Sequence, residues 1–206
     1  MAFIAIFGLT ALQQTTAGSV VNLLDEGAKG DGGTDDQNAI TNALAKAKSL
    51  GLPLYAPGGH TYVHSNYISI DSVALYGDGD ATVFSASNVN NGAMRLTGTN
   101  PSLKSVKVLY NPTPTTRLTS GTQSGVFMDH AAGFTVDNVT VGNSPCIGIL
   151  VFVSHGTATN YATVTNCRVA NTLADSYHCT GASSFVKLTG NTTTNSGDDM
   201  FAVVSY

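Results

Sequence analysis

Three runs in the second half of the chain can be laid over one another, and their spacing limits the folds available. NVTVGN starting at Asn138 matches NCRVAN starting at Asn166 and GNTTTN starting at Gly190. The closing asparagines, Asn143, Asn171 and Asn195, stand 28 and 24 residues apart. Earlier in the chain SVAL at Ser72 and SVKV at Ser105 are 33 residues apart, the distance that also separates Ser105 from Asn138. Between these points run short alternating stretches of Val, Ile, Leu, Phe and Cys with no helical period. A repeat in the twenties with some longer members marks a stack of coils, each burying its apolar face on its neighbours, and not a sandwich. Asparagine suits the bends of such coils, because it tolerates left-handed backbone and bonds along a column of like residues. A structural ladder of Asn143, Asn171 and Asn195 is therefore expected.

Composition narrows the class further. A chain of 206 residues suffices for one domain with a real core. Charged residues are 11 % of it, against about a quarter in an average soluble protein. Hydrophobic residues reach 42 %, which excludes disorder, and the scarcity of Glu, Lys and Arg excludes coiled coils and helical bundles. A net charge of −4 excludes a nucleic-acid footprint, so no nucleic-acid partner is expected. Cys146, Cys167 and Cys179 form no CxxC pair, so no zinc site is expected. They read as buried free thiols, with one disulfide plus one free thiol as the alternative. Residues 1–12 are apolar but too short to span a bilayer. They read either as the core of a secretory leader, with Thr15 and Ala17 flanking a cleavage site, or as a segment packed on the fold. No Lys or Arg precedes Lys29, and no other stretch is suited to a membrane.

One helix is expected, over residues 34–50. Thr34 and Gln37 have capping-box spacing, and Asp35 and Asp36 suit the positive end of a helix dipole. Ile40, Ala43, Leu44, Ala47 and Leu50 fall on one face, and Gly51 supplies a stop. The glycines from Gly27 to Gly33 lack the Gly-Lys-Ser/Thr ending of a phosphate loop. The run GAKGDGGTDD from Gly27, then Ala39-Ile40 and LPLYAPGGHTY from Leu52, resembles the amino-terminal signature of pectin-lyase-like right-handed parallel β-helix proteins. That group includes polygalacturonase-like glycoside hydrolases, polysaccharide lyases and phage tailspikes. The resemblance implies an all-β, right-handed parallel β-helix whose open end is covered by this helix. Residues 1–65 would form the amino-terminal segment and cap, and residues 66–206 the coils.

The chain has twelve Asp and a single Glu, so acid–base chemistry falls to Asp or His. Asp175 lies four residues after Asn171, and Asp199 four after Asn195, with Asp198 beside it. Coils stack about 4.8 Å apart, so the repeat brings these acids onto one face, above Ile147 of the coil before. No Lys or Arg is near them in sequence, which makes the cluster electrostatically costly and suited to a general acid beside a general base. Ser196-Gly197-Asp198-Asp199 resembles the paired-Asp motif of polygalacturonases, and Ala174-Asp175 their upstream Asn-Thr-Asp element, with Leu173 and Ala174 in place of Asn and Thr. The resemblance implies an inverting hydrolase in which Asp198 is the acid and Asp175 and Asp199 hold the water. No cofactor and no metal are expected. His178 is a candidate for binding a sugar hydroxyl, or a histidine packed beside a bend. Ser154-His155-Gly156 precedes the acids and is read as coincidence. Asp78 and Asp80 read as a Gly/Asp turn, and Asp129-His130 as a buried pair without a nucleophile.

Two functions follow. One is a secreted polysaccharide-processing enzyme with a polysaccharide as its partner. The other is a non-catalytic fibre, spike or carbohydrate-binding module, in which the acids only cap turns or hold a structural cation. The family's later Gly-His-Gly and Arg-Ile-Lys elements would fall beyond Tyr206, which implies a stack truncated at that end. Residues 200–206, MFAVVSY, form an apolar strand with nothing after it, so self-association or a further chain is expected there.

Overall fold

The computed structural model describes residues 20–129, 132–153 and 161–204. The apolar stretch 1–17, His130, the triplet at 154–156 and Tyr206 lie outside the described residues. The described chain winds into a right-handed parallel β-helix in which every pairing between strands is parallel. One six-stranded sheet stacks, from the amino end, Ile68–Asp71, Met94–Thr97, Val126–Asp129, Ile149–Val153, Tyr177–Gly181 and Phe201–Val203. A twelve-stranded sheet curls around the rest of the coil. Its long strands, Ser102–Tyr110 and Thr135–Gly142, bend at Ser105 and Asn138, where φ is 51° and 52°.

These left-handed corners explain the sequence repeat. Asn138 Nδ2 donates to Ser105 Oγ at 3.1 Å, and Asn166, with φ 55°, turns the next coil at the same place. At another corner Asn143, Asn171 and Asn195 have φ of 58°, 56° and 52°. Asn171 Nδ2 donates to Asn143 Oδ1 at 3.3 Å, and Asn195 Nδ2 to Asn171 Oδ1 at 3.0 Å, which is the expected ladder. Ser72 does not stack on Ser105. Ala74 pairs with Ser102, so Ser72, with φ 57°, sits at the level of Asn100, with φ 49°. Its match to Ser105 is a coincidence of two corners with the same chemistry.

The interior is filled by residues that alternate inward, among them Ile70, Leu96, Met128, Val151, Val108 and Val141. Cys146, Cys167 and Cys179 are all buried and free, and burial pushes the Cys167 and Cys179 thiols up to about 11. Helix α1, Gln37–Leu50, lays Ile40, Ala43, Leu44 and Ala47 against the first strands of both sheets. Gly51, at φ 65°, ends it as expected. The helix begins three residues later than the sequence suggests, and the capping box does not form. The Thr34 backbone N–H and hydroxyl are given to Asp31, whose carboxyl is held down to about 2 by hydrogen bonds from the Thr34 and Gly33 N–H groups and the Thr34 hydroxyl. Asp36 turns inward and accepts the Lys29 and Gly30 N–H groups at 2.7 and 3.0 Å, clamping the glycine run. Leu50 points to solvent. Among the described residues no helix is long and apolar enough to cross a membrane.

Candidate active site

In the later coils the Asn corner is followed by a tight turn that leads into the six-stranded sheet. These turns stack through backbone hydrogen bonds. Gly148 N donates to Asp175 O and Ser176 N to Asp199 O, each at 2.9 Å, as Gly125 N does to Ile147 O. Ile147, Asp175 and Asp199 therefore form a column, as the offset from the asparagines requires. Gly197 lets the last turn lie flat on the one below, since a Cβ there would stand 2.5 Å from the Leu173 carbonyl carbon.

The carboxylates of Asp175, Asp198 and Asp199 meet, with an oxygen of each within 4.8 Å of the others. They differ in setting. Asp175 is 7 % exposed and both its oxygens are engaged. Oδ1 accepts the Asp199 N–H at 3.0 Å, and Oδ2 contacts His178 Nδ1 at 2.5 Å. Asp198 and Asp199 are exposed. His178 faces outward from Tyr177–Gly181, in register with Leu150 below and Ala202 above. Three oxygen donors at this range are also a ligand set for a hard divalent cation.

The cluster is not without a cation of its own. Arg117, in the loop of residues 111–120, places Nη2 2.8 Å from Asp198 Oδ2, across 81 residues of sequence. The expectation of an uncompensated acidic cluster is corrected here, because the compensating charge comes from outside the repeat. Arg117, Leu118 and Thr119 form one wall of a groove of about 360 Å³. Leu150, Phe152, Asp175, His178 and Thr180 line it from the sheet side. Cys146 also lines it, but burial pushes its thiol up, so it is no thiolate nucleophile.

The remaining acids are structural. Asp78 Oδ2 accepts the Tyr55 hydroxyl and the Gly58 N–H, each at 2.7 Å. Asp80 pairs with Arg168 at 3.0 Å and accepts the Thr140 hydroxyl. Asp129 is buried against Arg95. Arg117, Phe152 and Thr180 were not singled out in the sequence. The first has no repeat signal, whereas aligning Ile149-Leu-Val-Phe152 with Tyr177-His-Cys-Thr180 places the other two on the outer face.

Residues 20–98 match the family model described as rhamnogalacturonase A/epimerase, pectate lyase-like, and residues 118–206 match that of the alpha-1,3-glucanase catalytic domain D2. No curated protein sequence matches the chain. Among solved structures, the catalytic unit of the thermostable GH87 alpha-1,3-glucanase from Streptomyces thermodiastaticus strain HF3-3 superposes with a TM-score of 0.76 at 26 % identity, covering 92 % of this chain and 33 % of that one. The Agl-KA catalytic domain gives 0.75 at 24 % identity, covering 91 % and 34 %. An N-terminal fragment of bacteriophage Phi29 gene product 12 gives 0.60 at 18 % identity, covering 84 % and 36 %. The chain thus spans about a third of the length of these structures. By its fold the chain is a right-handed parallel β-helix protein, similar over its first half to the pectate lyase-like model and over its second to the alpha-1,3-glucanase one.

Proposed function

We propose that the chain carries the acid-bearing coils of a β-helix glycoside hydrolase that cleaves a polysaccharide with inversion. The carrying observation is the meeting of Asp175, Asp198 and Asp199, the first of which lines the groove beside Arg117 and His178. Asp198 donates a proton to the glycosidic oxygen, while Asp175 and Asp199 hold the attacking water. To reach the glycosidic oxygen, the Asp198 carboxyl must first be released from its ion pair. Arg117 is half exposed, so an entering sugar can draw it away from Asp198 and free that oxygen. His178, tied to Asp175 through Nδ1, offers Nε2 to a sugar hydroxyl.

The carboxylates are nearer together than the about 6.5–9.5 Å usual in inverting enzymes. The water is then held beside the acids and not in a gap between two facing ones. Inversion itself is carried over from the resemblance to polygalacturonases, and the anomer of the first product, read by NMR, tests it. Alpha-1,3-glucan is the first substrate to try, because the family matched by residues 118–206 and the Streptomyces enzyme are named for it. A substrate of that size places the protein outside the cell, as a secreted or extracellular enzyme.

Asp198→Asn should lower the release of reducing ends about 10²–10⁴-fold while leaving thermal unfolding unchanged. Wild-type protein that releases none from a panel of neutral and acidic glycans would sink the reading. The second reading is a spike or binding module. It is favoured by the fold shared with the bacteriophage Phi29 gene product 12 fragment.

A further inference from the structure

Two residues beyond His178 on the same strand stands Thr180, and it carries an anomaly. It is 7 % exposed, yet among the described residues its hydroxyl has no hydrogen-bond partner. A buried hydroxyl left unpaired costs free energy that nothing within the described fold returns. Thr180 lines the groove that holds Asp175 and His178. It pairs in register with Phe152 of the coil below, which lines the same groove and leans on Phe127 at 6.2 Å between ring centroids.

We propose that Phe152 and Thr180 form a sugar-binding subsite for a neutral hexopyranose, one ring removed from the sugar that meets His178. The inference rests on the reading of the acidic turns as a glycan-cleaving site. Two residues along a strand cover about 7 Å, on the order of one further sugar ring. A hexopyranose presents an apolar face of C–H groups and a rim of hydroxyls. The Phe152 ring takes the face, and Thr180 Oγ1 exchanges its missing bond with one rim hydroxyl. The sugar is neutral because neither contact carries charge and Asp175 stands in the same groove. A uronate would bring a carboxylate towards an existing one.

The test is calorimetric binding of neutral gluco-oligosaccharides, alpha-1,3-linked, from disaccharide to hexasaccharide. Wild type, Phe152→Ala and Thr180→Val are compared, with thermal unfolding of each. Thr180→Val is expected to keep or raise the Tm, since no hydrogen bond of the described fold is lost. The ratio of hexasaccharide to disaccharide affinity is expected to fall about tenfold in Phe152→Ala and about fivefold in Thr180→Val. An unchanged ratio in both variants overturns the subsite, as does tighter binding of oligogalacturonate than of the neutral series, or no binding of the neutral series by wild type. An active wild type whose ratio ignores both substitutions removes the subsite and keeps hydrolysis. A wild type that binds with the expected ratios but releases no reducing ends keeps the subsite and removes hydrolysis.

Discussion

The two ends of the stack are built from similar strands and meet solvent in opposite ways. At the amino end α1 covers the first strands of both sheets, and Ile40, Ala43, Leu44 and Ala47 are buried there. At the carboxyl end the last described strands, and the bend before them, carry the same kind of residue with no described element over it. Val203 is 83 % exposed, Phe185 70 % and Phe201 48 %. Alternation sets which way a side chain points, but a neighbouring layer decides whether it is buried. The candidate site lies towards the carboxyl end, where Asp198 and Asp199 sit in the last described turn.

Cutting the cover should give the largest effect on stability. Ile40→Ala removes a fully buried side chain and is expected to cost about 2–5 kcal/mol in denaturant unfolding. Phe201→Ala, on the open end, should cost about 1 kcal/mol or less. Equal losses would dissolve the contrast. The asparagine ladder gives the next step. Asn171 is bonded on both sides, so Asn171→Ala loses two side-chain bonds at φ 56° and should cost about 1–3 kcal/mol. Asn195→Ala loses one such bond and should cost less, while Asn171→Gly should recover part of the loss by tolerating the backbone.

A pH titration probes the covered half. His64 is buried, and burial holds its imidazole below the ordinary value. The unfolded chain therefore takes up the proton first, near pH 6.5. Stability is full above that pH and falls as the pH drops towards the folded value, over a range where carboxylates are still ionised. His64→Gln should flatten the thermal-unfolding profile between about pH 6.5 and 5. The smallest effect on stability is expected at the open end, where Val203→Lys should change it by about 0.5 kcal/mol or less. If that edge recruits a second chain, the same substitution should lower the mass seen by light scattering; an unchanged mass would argue against association there.

The repeat was legible because left-handed corners accept few residue types, so Asn138, Asn143, Asn166, Asn171 and Asn195 recur where the backbone turns. Asp175 and Asp199 were legible by their fixed offset from those corners. Ser72 misled because a second corner has the same preference. The capping box misled because Thr34 and Asp36 found stronger partners in Asp31 and the glycine run, which the local pattern does not contain. Arg117 was illegible because its loop belongs to no repeat and its partner lies 81 residues away.

That loop has a consequence for how the molecule comes apart. In a stack each coil touches only its neighbours, so ends can fray one rung at a time. Residues 111–120 run across this order, since Leu118 N donates to Pro145 O at 2.8 Å and Arg117 reaches the last described turn. Arg168 and Asp80 make a similar bridge over 88 residues. Each bridge is half exposed and weak alone. Together they act as splints, and the loop that walls the groove also ties the terminal rung to the middle of the ladder. Loss of the splint and loss of the assembled acids would then be one event, so the site is whole only when the last coil is in place.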